Sequence, residues 1–548
     1  MKIFSKLPFY AFILLVSFIL CAFTYGAAVL NPQYVEWLYK HDGMNHYLGW
    51  LFFRQEPWGF PLGQIHNFIH PIGTTVIQMD SIPVMAFFFK TFHPWLPVRF
   101  QYFGLWHFLI WALQGYAGLK IAEHLQATTV QKFLIIFLFM WSSIIFFRTD
   151  HHSLTAQFCL VISIYYYMET QKGRGPLFGS MLLTLAFISL AHPYLVAMTL
   201  PLYFATYLRA FLDHPQKKWK YIFEFTGFLT IVGFCFWQIG IFGVKDPGDL
   251  GFGSLSSDLL TYFNSLYTSS ILPRLRTGWG QYEGYAYLGL GMIVLFFIQI
   301  GWLLSRKEHL KKIFKRAWPF VIIQLLIWIF SLSNIITFGG NPILNLDFIY
   351  SHLGSIPGTF RSSGRFSWPL FYFIYFVLIW SVLRRWSTQK ATAILFAVAL
   401  LQVIDIARYY GTSSAGEAAP APAFRPAAWQ TKASGATAMI ILPPALIKGA
   451  FDCGRGGFTP DEVRHLGILA GEMGWSVNSG YSSRGDARVF QICEETWESL
   501  PQRFASSNQF FVVHRAFIDS FLQTAAKFNK SSKKKITCQH IDGFEVCR

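Results

Sequence analysis

The sequence predicts a mainly α-helical, polytopic membrane protein: a bundle of about eleven transmembrane helices with a long first external loop, plus a small α/β domain at the C-terminus. Three observations predict it. Only 13% of the 548 residues are charged while 53% are hydrophobic, with 58 Phe, 25 Tyr and 19 Trp, whereas a globular domain carries about 25% charged residues. The apolar residues fall in runs close to the roughly 20 residues that a bilayer crossing needs. Lys and Arg concentrate in alternate, short connections, and the long connections between them are poor in cations.

The runs cover residues 9–30, 99–119, 131–147, 154–168, 177–191, 194–208, 220–243, 285–305, 317–336, 367–383 and 391–408. Of these, 154–168 and 177–191 are short for a full crossing. The first run has the basic start and the small residues near Ala27 of a signal peptide, but it is long for one and reads as a retained anchor. With the N-terminus in the cytoplasm, one side holds Lys2 and Lys6, Lys120 and Lys132, Lys172 and Arg174, the cations of 209–220 and 306–316, and Arg384, Arg385 and Lys390. Lys and Arg resist translocation, so this side is cytoplasmic. The net charge of +17 is thereby a topology signal with some attraction to anionic lipid. The bilayer is the expected partner, and nucleic acid is not.

The outward side collects the long loops 31–98, 244–284 and 337–366 and the short turn 148–153. Residues 80–98 are apolar but interrupted by Pro83, Pro94 and Pro97 and carry Lys90. They read as a segment lying along the interface, the alternative being a twelfth, short span. The transmembrane domain thus occupies 1–410, and the Ala-, Pro-, Gly- and Ser-rich stretch 411–435 reads as a linker. Over 436–548, TAMIIL and QFFVVH read as strands, DEVRHLGILAGEM and DARVFQICEETWESL as helices, and KKKITCQHIDGFEVCR as a terminal hairpin. Cys21, Cys159 and Cys235 sit inside spans as apolar fillers. Cys453, Cys493, Cys538 and Cys547 all follow the last span, outside the cytoplasm, where disulfides persist. Three pairings are open, and Cys538 and Cys547 flank an Asp542-Gly543 turn that they could bridge.

The richest chemistry follows the first span. Residues 31–83 carry Asp42, Arg54, Glu56, Asp80 and four histidines among many aromatics. A first span, a long outward loop with an early acidic residue, an interfacial segment, many further spans and an external C-terminal domain together resemble the GT-C superfamily of integral-membrane glycosyltransferases. The stretch DGMNHYLGWLFFRQEPWGFPLG, followed by DSIP, is similar to a bacterial membrane-protein family of unknown function assigned to that superfamily. The resemblance implies transfer of a sugar from a polyprenyl-phosphate-linked donor to a glycan, lipid or protein acceptor. It implies the outer face of the bacterial cytoplasmic membrane, with the C-terminal domain periplasmic. It gives Asp42 the place of the acidic residue that acts as base or holds a metal. Many members have a second carboxylate adjacent or two residues away, but here the neighbours are His41, Gly43 and Met44. A divalent metal, Mg or Mn, is therefore left open, with Asp42 and His151 as possible ligands. The alternatives are a non-catalytic scaffold on the same fold and a lipid-glycan transporter.

Such transfer needs a base for the acceptor hydroxyl, cations for the leaving phosphate and aromatic faces for the sugar. Asp42 is the base candidate, against a plain role as a helix cap. Asp80 either binds substrate or caps the interfacial helix, and Arg54 either binds substrate or pairs with Glu56. Arg148, Asp150 and His151 end the third span, where ionisable clusters are functional by default, against snorkelling and capping. Arg361 and Arg365, four apart around Ser362, Ser363 and Gly364, form a plausible phosphate seat or an interface anchor. Tyr282 and Glu283 lie in a loop suited to sugar stacking. No P-loop or Gly-rich dinucleotide turn is present, and the cytoplasmic connections are too short for a nucleotide-sugar domain, so the donor must arrive by lipid.

Overall fold

The computed structural model describes residues 6–243, 251–354, 356–411, 415–419, 424–447, 457–482 and 496–548. It is mainly helical. In chain order the helices are α1 (Leu7–Tyr25), α2 (His41–Phe53), α3 (Pro83–Lys90), α4 (Phe103–His124), α5 (Thr129–Met140), α6 (Ser143–Phe147), α7 (Phe158–Glu169), α8 (Phe178–Ser189), α9 (Pro193–Asp213), α10 (Lys218–Gln238), α11 (Leu290–Ser305), α12 (Lys307–Ser331), α13 (Asp347–Tyr350), α14 (Trp368–Arg385), α15 (Thr388–Gly411), α16 (Pro426–Lys432), α17 (Pro460–Met473), α18 (Leu500–Ala505) and α19 (Ile518–Ser531). The strands are β1 (Gln64–Ile65), β2 (Thr74–Thr75), β3 (Ile335–Phe338), β4 (Asn341–Asn345), β5 (Ala438–Leu442), β6 (Leu446–Ile447), β7 (Ser476–Val477), β8 (Gly480–Tyr481), β9 (Gln509–Val513), β10 (Cys538–Ile541) and β11 (Phe544–Cys547).

Among the described residues, seven helical stretches are long and apolar enough to cross a membrane: α1, α5 with α6, α9, α10, the later part of α12, α14 and α15. The expected count of eleven is not reached. Each of the other four expected runs is helical but falls short. Helix α4 has 22 residues but carries His107, Gln114, Lys120, Glu123 and His124. Helices α7 and α8 have 12 residues each and α11 has 16. At 1.5 Å per residue, twelve residues reach about 18 Å, against about 30 Å of hydrocarbon. Segment 80–98 holds only the eight-residue α3 and one short 3-10 turn, so it is too short to be a twelfth span.

Contacts divide the chain into two compact units. One comprises 1–31, 102–235 and 248–416; the other comprises 32–101, 236–247 and 417–548. The first loop therefore groups with the C-terminal segment, a different partition from the linear boundaries at 410 and 435.

In the first unit α4 packs against α1, α5 and α7. Small residues permit this: a side chain at Gly115 would meet Met140 Sδ at 2.7 Å, and one at Gly118 would meet Ile136 at 3.3 Å. Asp405, fully buried on α15, accepts from Leu290 N (2.9 Å) and Tyr287 Oη (2.8 Å). It thereby satisfies the exposed amide end of α11. Asp258 does the same for the β3–β4 hairpin, accepting from Gly339 N (3.1 Å), Gly340 N (3.0 Å) and Thr337 Oγ1 (2.8 Å).

In the second unit a sheet of order β10-β11-β9-β5-β7 runs antiparallel from β10 to β9 and parallel from β9 to β7. TAMIIL and QFFVVH are strands as expected, and DEVRHLGILAGEM is α17. That helix begins with a Thr459–Glu462 capping box and ends at Gly474, whose φ of 74° suits glycine. The terminal hairpin turns at Asp542 (φ 50°) and Gly543 (φ 89°), and Cys538 is disulfide-bonded to Cys547. Cys453, Cys493 and most of the expected helix DARVFQICEETWESL lie outside the described residues. Part of the expected linker is helical, as α16. The first loop extends this sheet: Phe68 bridges Val477 in parallel, Val477 N donates to Asn67 O (2.9 Å), and His70 N donates to Val477 O (2.8 Å).

Candidate functional site

In the first unit, three connections converge on a buried charge cluster. Arg148 follows α6, Glu283 lies in the 3-10 turn Gln281–Gly284, and Arg365 lies in the 3-10 turn Ser363–Ser367 that leads into α14. Arg365 binds the Glu283 carboxylate with two bonds, Nε–Oε2 at 2.9 Å and Nη2–Oε1 at 3.2 Å. Arg148 Nη1 reaches Oε2 at 2.9 Å, and its Nη2 donates to the Glu283 carbonyl at 2.7 Å. All three are nearly fully buried. Aromatic faces flank the two arginines: Arg148 stands 5.2 Å from the Trp368 ring centroid, and Arg365 stands 4.8 Å from that of Tyr194. Gly364 is required here, because a side chain would come within 2.7 Å of the Ser256 carbonyl and the Gly284 amide.

Burial alone would raise the Glu283 carboxyl, but the two guanidiniums outweigh it and hold the group down at about 2. Burial lowers Arg148 from the usual guanidinium value, against the pull of Glu283. The cluster sets two guanidiniums on one carboxylate. The Arg148 Nε–H and the Ser363 hydroxyl are buried with no hydrogen-bond partner among the described residues. Buried donors in that state suit an anion.

The other residues singled out in this unit stand differently. Arg361 is partly buried one turn before Arg365, and the ion-pair partners of Glu283 are Arg148 and Arg365. Tyr282 is 49% exposed beside Glu283. Asp150 is exposed. His151 faces His192, ring to ring at 5.6 Å, while the adjacent His152 turns inward, its Nδ1 2.8 Å from His107 Nε2. Burial lowers His152 to about 3, so its ring stays neutral.

In the second unit Asp42 is exposed in the first turn of α2, where a carboxylate is favoured by the helix dipole. The N-cap position is Lys40, so Asp42 is not the cap residue. His46, one turn further along α2 and buried, lies beside the turn at residues 79–82: Ser81 Oγ donates to His46 O at 2.7 Å. Gly49 admits that turn, since a side chain there would strike Ser81 and Met79. One His46 ring nitrogen and one Asp80 carboxylate oxygen lie within 4.8 Å of each other. Imidazole and carboxylate together are donors for a divalent metal. His41 (φ 47°), Asp80 (φ 51°) and Ile82 (φ 50°) all hold left-handed backbone. Non-glycine residues in that region are strained, and such strain clusters at functional sites. The N-cap of α3 is Ile82, so Asp80 does not cap it.

Arg54 has a different task from the one expected. Its guanidinium donates to the Leu96, Pro97 and Val98 carbonyls at 2.8–3.2 Å and its Nε lies 3.0 Å from His93 Nδ1. Nor does it pair with Glu56, which accepts from the His66 and Asn67 amides. Both side chains secure loop backbone, because buried carbonyls and amides need partners. Lys90 is buried over the Phe53 ring (3.9 Å) and the Trp58 ring (4.7 Å), and burial lowers it to about 8. His46 carries little signal in sequence beyond its four-residue spacing from Asp42.

The sequence matches the family model described as "Domain of unknown function (DUF6311)" over residues 14–407, and that of the DUF6311 C-terminal domain over 428–548. The chain belongs to the DUF6311 family. No curated protein matches it. In this DUF6311 chain, α2 belongs to the first family domain and α17 to the C-terminal one.

Proposed function

We propose that this DUF6311 protein is a membrane glycosyltransferase of the GT-C type. It transfers a sugar from a polyprenyl-phosphate-linked donor to a glycan, lipid or protein acceptor on the periplasmic face of a bacterial cytoplasmic membrane. The observation that carries the reading is the Arg148–Glu283–Arg365 cluster. Two guanidiniums share one carboxylate, aromatic faces flank them, and the buried Arg148 Nε–H and Ser363 hydroxyl have no hydrogen-bond partner among the described residues. That chemistry suits a phosphate, and Arg361 and Tyr282 border the same turns. Asp42 takes the acceptor proton as general base. His46 and Asp80 are the residues that would hold a divalent cation, which when bound neutralises phosphate charge.

The test replaces Asp42 with Asn in the full-length protein. Loss of the base is expected to lower transfer by about 100-fold or more, read as loss of a surface glycan by mass spectrometry at normal protein levels. Unchanged glycans at normal protein levels sink the proposal.

A further inference from the structure

We infer that the C-terminal domain positions α2, and that Arg464 is the positioning residue, acting through Asn45 on the turn that carries Asp42. The effect on transfer rests on the Asp42 assignment above; the positioning itself does not.

Helix α17 packs against α2 from Asn45 to just past its end. At the start of α2, Arg464 Nε donates to Asn45 Oδ1 at 3.1 Å, three residues beyond Asp42. Arg464 is itself held, with Nη1 2.8 Å from Asp461 Oδ1, and its side chain is only 16% exposed. Asn45 is 1% exposed. In the middle, Gly467 and Gly471 lie one turn apart on α17 and face leucines of α2. A side chain at Gly467 would lie 3.1 Å from Leu48, and one at Gly471 would lie 2.6 Å from Leu51. Just past the end of α2, Gln55 Nε2 donates to Gly471 O at 2.6 Å. Two further ties hold the flanking loop. Arg99 pairs with Glu472 (2.9 Å) and Glu36 (3.3 Å), and the Asn67–His70 backbone is bonded to β7.

The physical consequence follows from α2 itself. It has 13 residues, and isolated helices of that length are marginal in water. Its start carries a residue with left-handed backbone at His41 and no side-chain cap. The geometry of its first turn is therefore set by what it packs against. Helix α17 is capped at both ends, so it supplies the rigid template.

The test measures hydrogen–deuterium exchange of full-length protein in nanodiscs. Arg464→Ala is expected to raise exchange of the 44–53 amides about tenfold, the equivalent of a lost charged hydrogen bond. Arg464→Lys keeps a donor and is expected to restore part of the protection. Gly471→Leu displaces α2 and is expected to exceed both. Amides of β5 and β9 are expected to stay protected, which separates positioning from loss of the domain fold. Surface glycan is expected to fall in Arg464→Ala and recover partly in Arg464→Lys. Wild-type exchange of α2 in both Arg464→Ala and Gly471→Leu overturns the inference. Equal loosening of α2, β5 and β9 in Arg464→Ala also overturns it. If α2 loosens while Asp42→Asn leaves glycans unchanged, positioning stands and the glycosyltransferase reading falls.

Discussion

Two buried guanidiniums, those of Arg148 and Arg365, pair with the single carboxylate of Glu283. Glu283→Gln keeps the shape and removes the charge. It leaves Arg148 and Arg365 facing each other without their carboxylate, so unfolding in detergent should show a loss of about 3–5 kcal/mol. Acid sensitivity follows from two groups. His152 is lowered in the fold to about 3 from 6.5, so between those values the unfolded chain binds a proton that the folded chain refuses. Stability therefore rises with pH across that window and falls as pH drops through it. Glu283 is lowered to about 2 from 4.5; its contribution is complete above 4.5 and is lost as pH falls towards 2. A thermal-unfolding series from pH 7 to pH 4 should show Tm falling, with a shallower slope in His152→Gln. At this scale, Arg148, Glu283 and Arg365 could each be picked out from residue type and loop position. Their mutual contact could not, since 135 residues separate Arg148 from Glu283 and 82 separate Glu283 from Arg365. Arg54 shows the opposite limit: a loop arginine looks free in sequence, yet three nearby carbonyls claim its donors.

Among the elements, the C-terminal strands and α17 were readable because local signals agree with tertiary packing. TAMIIL and QFFVVH are short β-branched and aromatic runs, and Thr459 with Glu462 marks a helix start. Apolar runs in the first unit marked helices reliably but not their lengths. Residues 131–147 form α5 and α6 rather than one continuous helix, with Trp141 outside helical backbone (ψ 55°). Hydropathy does not see such a break. The β10–β11 hairpin ties the C-terminus to the sheet through Cys538 and Cys547, which lie nine residues apart. By loop-closure entropy, Cys538→Ser with Cys547→Ser should lower the stability of the domain by about 2–3 kcal/mol. The check is a melting curve of the double variant, with reductant added to the wild type as control. No change in either sample would remove the staple from the account.

For the whole molecule, the basic connections carry a clear expectation. Alkaline phosphatase fused after residue 435 should be active, and fused within the basic stretch 306–316 at the start of α12 it should be inactive. The reverse pattern would invert the sides assigned to Asp42, Arg148 and Arg365. The partition of the chain has a further consequence. The first loop and the C-terminal segment form one unit although more than 300 residues separate them. Removal of the C-terminal domain thus strips α2 of the α17 face it packs against.

By itself the sequence determined what depends on local composition and spacing: a helical protein of the membrane, a strand-containing C-terminal domain, and loops that carry the ionisable groups. Apolar runs, proline breaks and cap residues act within about twenty residues, so they are legible without contacts. Only the tertiary structure decided which charges meet, which arginine is spent on backbone, and which surface α2 packs against. Those outcomes are fixed by burial, where each charge and amide must find a partner wherever the fold brings one.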